Sequence, residues 1–98
     1  MLLHTREMGC TPEDLLRWLP KALDSFYPQT NLTINGSEIL SVHSPRIELQ
    51  ALTLQSRKIA LLRIPILELR MLFDASFSSN QIEMILERFD LYTRRGGG

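Results

Sequence analysis

The chain has 98 residues, 44% of them hydrophobic, and its equal numbers of acidic and basic residues give a formal net charge of zero. This length fits one domain with a single modest core, and a neutral chain has no general attraction to nucleic acid or to anionic membranes. The single cysteine excludes an intrachain disulfide, and no apolar run approaches the roughly eighteen residues of a membrane-spanning helix. We therefore expect one small cytoplasmic domain over residues 1–98.

The N-terminal part of the chain predicts one helix. Residues 1–7 fit either a short strand or a loose tail. Thr11 is a good N-cap, and Pro12 follows at the first helical position, where its missing N–H costs nothing. Apolar residues then recur at helical spacing as far as Phe26. Pro20 interrupts this stripe, so we expect the helix to kink there or to restart as a second short helix.

The middle of the chain predicts a run of strands. Asn35-Gly36 favours a type I′ hairpin turn, because both central residues of that turn need positive φ. A change of apolar parity after Ala51 indicates a bulge, and Ser56-Arg57 is the expected turn between the last two strands. The predicted strands cover residues 31–35, 37–43, 46–55 and 58–73.

The last of these strands, Lys58–Phe73, is apolar on both faces. A half-buried strand alternates apolar and polar residues, since successive side chains point to opposite faces. Here the apolar positions change parity after Leu61 and again after Ile66. Pro65, which cannot donate to a ladder, lies between the two changes and belongs at a bulge or on a sheet edge. Such a strand needs cover on both sides, and a chain this short has little to provide it, which hints at a partner or a ligand.

The C-terminal helix has the clearest start signal. Ser78 and Gln81 form a capping box, and Phe77 and Ile82 can pack on each other as a hydrophobic staple. The glycines at residues 96–98 are expected to form a flexible tail.

Together these elements predict an α+β fold. The expected sheet is an antiparallel meander of about four strands, with an N-terminal helix kinked at Pro20 and a C-terminal helix packed on it. If both helices lie on one face of the sheet, apolar residues of the long strand remain exposed on the other.

The exposed part of the long strand is the candidate functional site. We expect a non-enzymatic protein-interaction module that forms a homodimer or docks on another protein through Leu62, Ile64, Pro65 and Ile66. The sequence contains neither a nucleophile elbow nor a glycine-rich phosphate loop, and its cysteine usage gives no familiar metal-ligand spacing. No catalytic residue, metal or cofactor is therefore expected.

Cys10 is the basis of an alternative function. It precedes the helix that starts at Thr11, where the positive helix end can lower the thiol pKa and favour the thiolate. The run Gly9-Cys10-Thr11-Pro12 resembles the Cys-Pro-x-Pro helix start of small bacterial sulfur-carrier proteins, with Thr11 in the place of the first proline. This resemblance implies a thiol-dependent sulfur or redox carrier.

Two other kinds of ligand are relevant. Trp18, Phe26, Tyr27 and Phe77 can line a pocket between the first helix and the sheet, which leaves a small-molecule ligand open. The element order resembles that of double-stranded RNA-binding domains, whose last helix opens with lysines. This chain has residues 79–81, Ser-Asn-Gln, at that place, so a nucleic-acid partner is not expected.

Overall fold

The computed structural model describes residues 2–94, which form five strands and two α-helices. In chain order the elements are β1 (Leu2–Met8), α1 (Pro12–Leu23), β2 (Thr30–Ile34), β3 (Ser37–Leu40), β4 (Ile47–Ile59), β5 (Leu62–Phe73) and α2 (Ser79–Thr93). A 3₁₀ helix, Asp24–Gln29, joins α1 to β2. The expected α+β class is confirmed, and residues 96–98, expected to be a flexible tail, lie outside the described residues.

The sheet is mixed, so the predicted antiparallel meander of about four strands is wrong. Its five strands lie in the order β1-β5-β4-β2-β3, and neighbouring strands are antiparallel except β2 and β4, which are parallel. The N-terminal segment, which fitted a strand or a tail, supplies the fifth strand as the neighbour of β5.

The parallel pair arises from the path of the chain between β3 and β4. The Val42 N–H donates to Asn31 Oδ1 (2.7 Å), which holds this connection against β2. The Arg46 N–H then donates to the Gln29 carbonyl (2.9 Å), just before β2 begins. The start of β4 therefore lies beside the start of β2, and the two strands run in the same direction.

The hairpin between β2 and β3 has the predicted turn. Asn35 and Gly36 have φ values of 51° and 83°, as a type I′ turn requires. The Asn35 side chain also reaches β4, because its amide nitrogen donates to Thr53 Oγ1 (3.0 Å) and its oxygen accepts from the Thr53 N–H (2.8 Å). These two bonds extend the contact of this hairpin with β4 beyond Ala51, the last residue of the β2–β4 ladder.

Both helices begin at the predicted capping residues. The Asp14 carboxylate accepts from the Thr11 N–H, and this bond holds the pKa of Asp14 below its usual value. The Thr11 hydroxyl in turn accepts from the Asp14 N–H. Ser78 and Gln81 form the equivalent capping box at the start of α2. Pro20 lies inside α1, which continues as one α-helix to its end, so the helix does not restart at this proline.

The core lies between the helices and one face of the sheet. A hydrogen bond from Arg88 Nε to the Lys21 carbonyl (3.0 Å) connects α2 to the last turn of α1. The residues of β4 and β5 that belong to this core alternate along each strand, and they are Ile47, Leu49, Ala51, Leu67, Leu69, Met71 and Phe73. The residues between them point to the opposite side of the sheet, which no helix in the described part of the chain covers. We call this side the outer face.

Candidate functional site

The β4–β5 hairpin extends beyond the other strands. β2 pairs with β4 only as far as Ala51, and β1 pairs with β5 only as far as Leu67. Residues 52–66 therefore form a two-stranded ribbon, which we call the arm, and the remainder of the molecule is called the body. Every residue from 52 to 63 is exposed. The molecule measures 46 Å along its longest axis and 27 Å and 21 Å along the other two.

The arm turns at Ala60, so the turn predicted at Ser56-Arg57 is wrong. Ala60 has a φ of 55°, a left-handed conformation that sequence rules associate with glycine or asparagine rather than alanine. The ladder shifts between Leu54 and Arg57, so Ser56 belongs to a β-bulge opposite Pro65. The expectation that Pro65 lies at a bulge or an edge is therefore confirmed.

The arm is amphipathic. Residues that pair across an antiparallel ladder lie on the same face, and the even-numbered residues of β5 lie on the outer face. The opposite face of the arm carries Thr53, Lys58 and Arg63. The outer face of the arm consists of Leu52, Leu54, Arg57, Ile59, Leu62, Ile64 and Ile66. All of these except Arg57 are aliphatic, so one face of the ribbon is apolar and the other is polar.

The four residues predicted as an interaction site lie together in the arm but differ in exposure. Leu62 is 68% exposed, Ile64 and Pro65 are half-buried, and Ile66 is 7% exposed. Three of them share the outer face, whereas Pro65 lies between two outer-face positions and points to the other side. Leu62 is therefore available to a partner, and Ile66 belongs to the packing of the single chain.

An ion pair explains why Ile66 is buried on a face that no helix covers. Arg57 Nη2 donates to Glu7 Oε1 (3.0 Å), which joins β4 to β1 across the intervening strand β5. Arg57 lies opposite Ile64 and Glu7 lies opposite Glu68, and Ile66 is midway between those two β5 residues. The ion pair therefore passes over the Ile66 side chain.

Strand β4 also contributes to this apolar surface, and its residues were not among the predicted interaction residues. Leu52, Leu54 and Ile59 are 36%, 40% and 51% exposed on the outer face. The signal in the sequence is the change of apolar parity after Ala51, which predicts a bulge. The ladder is regular at that point, and the change of parity marks the place where β4 leaves the core and its apolar residues switch faces.

The arm is basic and the body is acidic. No Asp or Glu occurs between Glu48 and Glu68, whereas the arm carries Arg57, Lys58 and Arg63. Because the formal net charge of the chain is zero, these three positive charges leave the body with three net negative charges. Arg70 Nη2 lies 3.8 Å from Glu68 Oε2 on the outer face. The acidic residues on the outer face of the body are Glu7, Glu38, Glu48 and Glu68.

Cys10 lies in the core. It is 2% exposed, and its burial, with a smaller contribution from the negative charge of Asp14, raises the pKa of the thiol to about 11. The thiol is therefore protonated at neutral pH, whereas a sulfur or redox carrier needs an accessible thiolate. The carrier function stays a prediction that this geometry does not favour.

The histidines do not assemble a metal site with Cys10. Within residues 2–94, no group of three or more His, Cys, Asp or Glu side chains is arranged to hold a metal ion. His4 packs edge-on against Phe73, with ring centroids 5.8 Å apart. Its side chain thus contributes to packing at the β1 edge of the core.

The aromatic residues considered for a ligand pocket pack against the core. Phe77 contacts Phe73 and Phe26 edge-on, at centroid distances of 5.6 Å and 5.4 Å. The Arg46 guanidinium lies 4.3 Å from the Phe77 ring centroid, and Trp18 is half-buried against the same core. The cavity that Phe26 lines is bounded by α1, the 3₁₀ helix and α2 rather than by the sheet, and it has a volume of about 150 Å³. Small-molecule sites usually have about 300 Å³ or more, so this cavity does not favour a small ligand.

No family model matches this chain, and comparisons with curated proteins and with solved structures give no match either. Within residues 2–94, no helix is long and apolar enough to cross a membrane. The arm and the outer face are therefore the features from which a function can be argued.

Proposed function

We propose that this protein is a non-enzymatic interaction module of the cytoplasm that binds a protein surface through the outer face of its arm. The observation that carries the proposal is the exposure of large aliphatic residues along a projecting ribbon. Leu52, Leu54, Ile59 and Leu62 are between 36% and 68% exposed, and Leu61 at the turn is 98% exposed. Contiguous apolar patches of this kind on soluble proteins usually mark interaction sites.

Covering this face stabilises a complex substantially. Fully burying one Leu or Ile side chain contributes about 1.5–3 kcal/mol. Each of the exposed arm residues keeps at least a third of its surface in contact with solvent. Covering all of them therefore contributes several kcal/mol of binding free energy, on the order of 5.

The experiment compares one substitution in the arm with the same substitution elsewhere. Leu62→Asp places a charge on the outer face of the arm, and Leu91→Asp is the matched control because Leu91 is 60% exposed on α2. Tagged wild type and both variants are expressed at equal levels, cross-linked in cells and purified. Mass spectrometry then identifies and quantifies the proteins bound to each chain, and circular dichroism checks that each chain is folded.

We expect wild type and Leu91→Asp to hold the same protein at constant stoichiometry, and Leu62→Asp to lose it. That protein is either a second copy of the chain or a different polypeptide. Retention of the protein by Leu62→Asp refutes the proposal, as does the lack of any stoichiometric partner for wild type.

A further inference from the structure

We infer that the tip of the arm inserts into the surface of an anionic lipid membrane. The tip is the run of four apolar residues at the end of the hairpin, residues 59–62, Ile-Ala-Leu-Leu. This inference goes beyond the proposed function, because it concerns the end of the arm rather than the whole outer face and needs no protein partner. It is carried by the exposure of the tip, the cations beside it and its distance from the acidic body.

The tip is exposed more completely than the other apolar residues of the arm. Ile59 and Leu62 pair with each other across the ladder and are 51% and 68% exposed. Leu61, in the turn between them, is 98% exposed, whereas Leu54 nearer the body is 40% exposed. A protein groove covers one face of a ribbon, whereas a lipid surface surrounds a projecting end from all sides. The distribution of exposure therefore favours a lipid surface at the tip.

Two cations flank the tip. Lys58 and Arg63 precede and follow the four apolar residues, pair with each other across the ladder and are both exposed. Neither makes an ion pair with any residue from 2 to 94, and like charges at directly opposed positions destabilise a ribbon. Lipid headgroups surround an inserted tip, so both side chains reach them although they lie on the face opposite Ile59 and Leu62. Apolar residues bordered by Lys and Arg are typical of segments that lie in a membrane interface.

The acidic residues of the body lie far from the tip. No Asp or Glu occurs between Glu48 and Glu68, and Glu68 lies six residues from Leu62, or about 20 Å at roughly 3.4 Å per residue. Glu7 pairs with Arg57, which compensates its charge. The Debye length at physiological ionic strength is about 8 Å, so repulsion between the body and an anionic surface is largely screened. A chain of zero net charge can therefore bind an anionic membrane through one end.

The arm is long enough for its tip to enter the membrane while the body stays in water. Leu62 lies five residues beyond Leu67, where the pairing of β5 with β1 ends. The tip therefore projects about 17 Å from that part of the sheet. Segments that lie in the membrane interface reach about 5–10 Å into it, which is less than this projection.

Co-sedimentation of the purified full chain with vesicles tests the inference. The vesicles contain phosphatidylcholine alone, or phosphatidylcholine and phosphatidylserine in equal parts. Burying one Leu side chain changes a binding constant by about ten- to a hundredfold, so we expect Leu61→Ser to weaken binding to the mixed vesicles by about tenfold or more. Leu91→Ser is the matched control, because Leu91 is 60% exposed on α2. Circular dichroism checks that each chain is folded.

The same assay tests the cations. Lys58→Gln and Arg63→Gln are each expected to weaken binding to the mixed vesicles by about fivefold. Lys21→Gln is the matched control for Lys58→Gln, because it removes one positive charge from an exposed position in the last turn of α1. Binding is also expected to weaken when phosphatidylserine is left out and when the salt concentration is raised.

Quenching by brominated lipids distinguishes insertion from adsorption. Leu61→Trp and Leu91→Trp each add one tryptophan to the native Trp18, which contributes equally to both chains. With phosphatidylserine and a phosphatidylcholine brominated on its acyl chains, we expect strong quenching of Leu61→Trp and no added quenching of Leu91→Trp. Binding that leaves Leu61→Trp unquenched overturns the inference, because the tip then stays outside the acyl chains.

The vesicle and partner experiments have distinguishable failures. A wild type that does not bind the mixed vesicles, or that binds them no better than Leu61→Ser does, overturns the inference, and so does an equal loss in Leu91→Ser. If that wild type still holds a protein that Leu62→Asp loses, the proposed function stands without the membrane. A wild type that binds vesicles through Leu61 and holds no protein partner refutes the proposed function and leaves this inference standing.

Discussion

Replacing Ile66 and Leu62 by alanine, one at a time, tests where the core of the single chain ends and the surface for a partner begins. Both residues lie on the outer face of β5, four positions apart, but Ile66 is 7% exposed and Leu62 is 68% exposed. We expect Ile66→Ala to lower the free energy of unfolding far more than Leu62→Ala.

The size of the difference follows from the buried part of each side chain. An Ile→Ala change in a core costs about 2–5 kcal/mol, and we expect about 2–3 kcal/mol for Ile66 because the Arg57–Glu7 ion pair above it can relax into the space. Leu62 has about a third of its surface buried, so we expect Leu62→Ala to lower the free energy of unfolding by about 0.5–1 kcal/mol. In a domain of this size 1 kcal/mol changes Tm by about 4–8 °C, so Ile66→Ala melts roughly 10–20 °C lower.

Urea unfolding followed by the fluorescence of Trp18, the only tryptophan, measures both losses. At low protein concentration the single chain is observed, and unchanged m values show that each variant unfolds from the same compact state. Equal losses for the two variants at low concentration refute the boundary between core and arm.

Two further predictions concern the helix starts and the buried thiol. Ser78→Ala removes the hydroxyl that accepts from the Gln81 N–H and is expected to cost about 1 kcal/mol in urea unfolding, whereas Ser79→Ala, inside the helix, has little effect. Equal costs contradict the capping box. Because the pKa of the Cys10 thiol is raised from 9.0 to about 11, its contribution to stability is complete below pH 9 and is lost as the pH rises through about 11. Wild type should therefore lose more stability than Cys10→Ala over this interval, and identical pH profiles contradict the raised pKa.

The features that the sequence predicted well depend on neighbouring residues. The N-cap at Thr11 and the capping box of Ser78 and Gln81 depend on residues at most three positions apart, and the Asn35-Gly36 turn needs only its own backbone preferences. The α+β class followed from the period of the apolar residues. Each of these signals is contained in a short segment, so tertiary packing had little opportunity to override it.

Most features that the sequence predicted badly depend on residues far apart in the chain. The parallel pairing of β2 with β4 requires the connection after β3 to be held by Asn31 and Gln29, and no local pattern encodes those contacts. The arm turn is a different case, because Ala60 adopts positive φ without the residue types that usually mark such a turn. The polar pair Ser56-Arg57 has the residue types of a turn, but Ser56 belongs to a bulge in the middle of the ribbon and Arg57 pairs with Ile64.

About half of the candidate surface was predictable. Leu62, Ile64 and Ile66 were identified because β5 is apolar on both faces, and the structure places all three on the outer face. Their β4 neighbours Leu52 and Leu54 follow a change of parity that predicts a bulge, since such a change has two physical causes that a single sequence does not separate. One is an inserted residue, and the other is a strand that leaves the core and presents apolar residues on its opposite face.

The chemistry of the arm favours association through its outer face over association through its edges. An open strand edge can recruit another strand, and the arm has such an edge on each side beyond Ala51 and Leu67. Pro65 removes a backbone donor from β5, and the bulge at Ser56 interrupts the regular ladder of β4, so neither edge offers a continuous template. Lys58 and Arg63 make the opposite face of the arm polar and charged. The outer face is the remaining route by which the exposed aliphatic residues can be covered, and a face-to-face partner covers them without adding a strand.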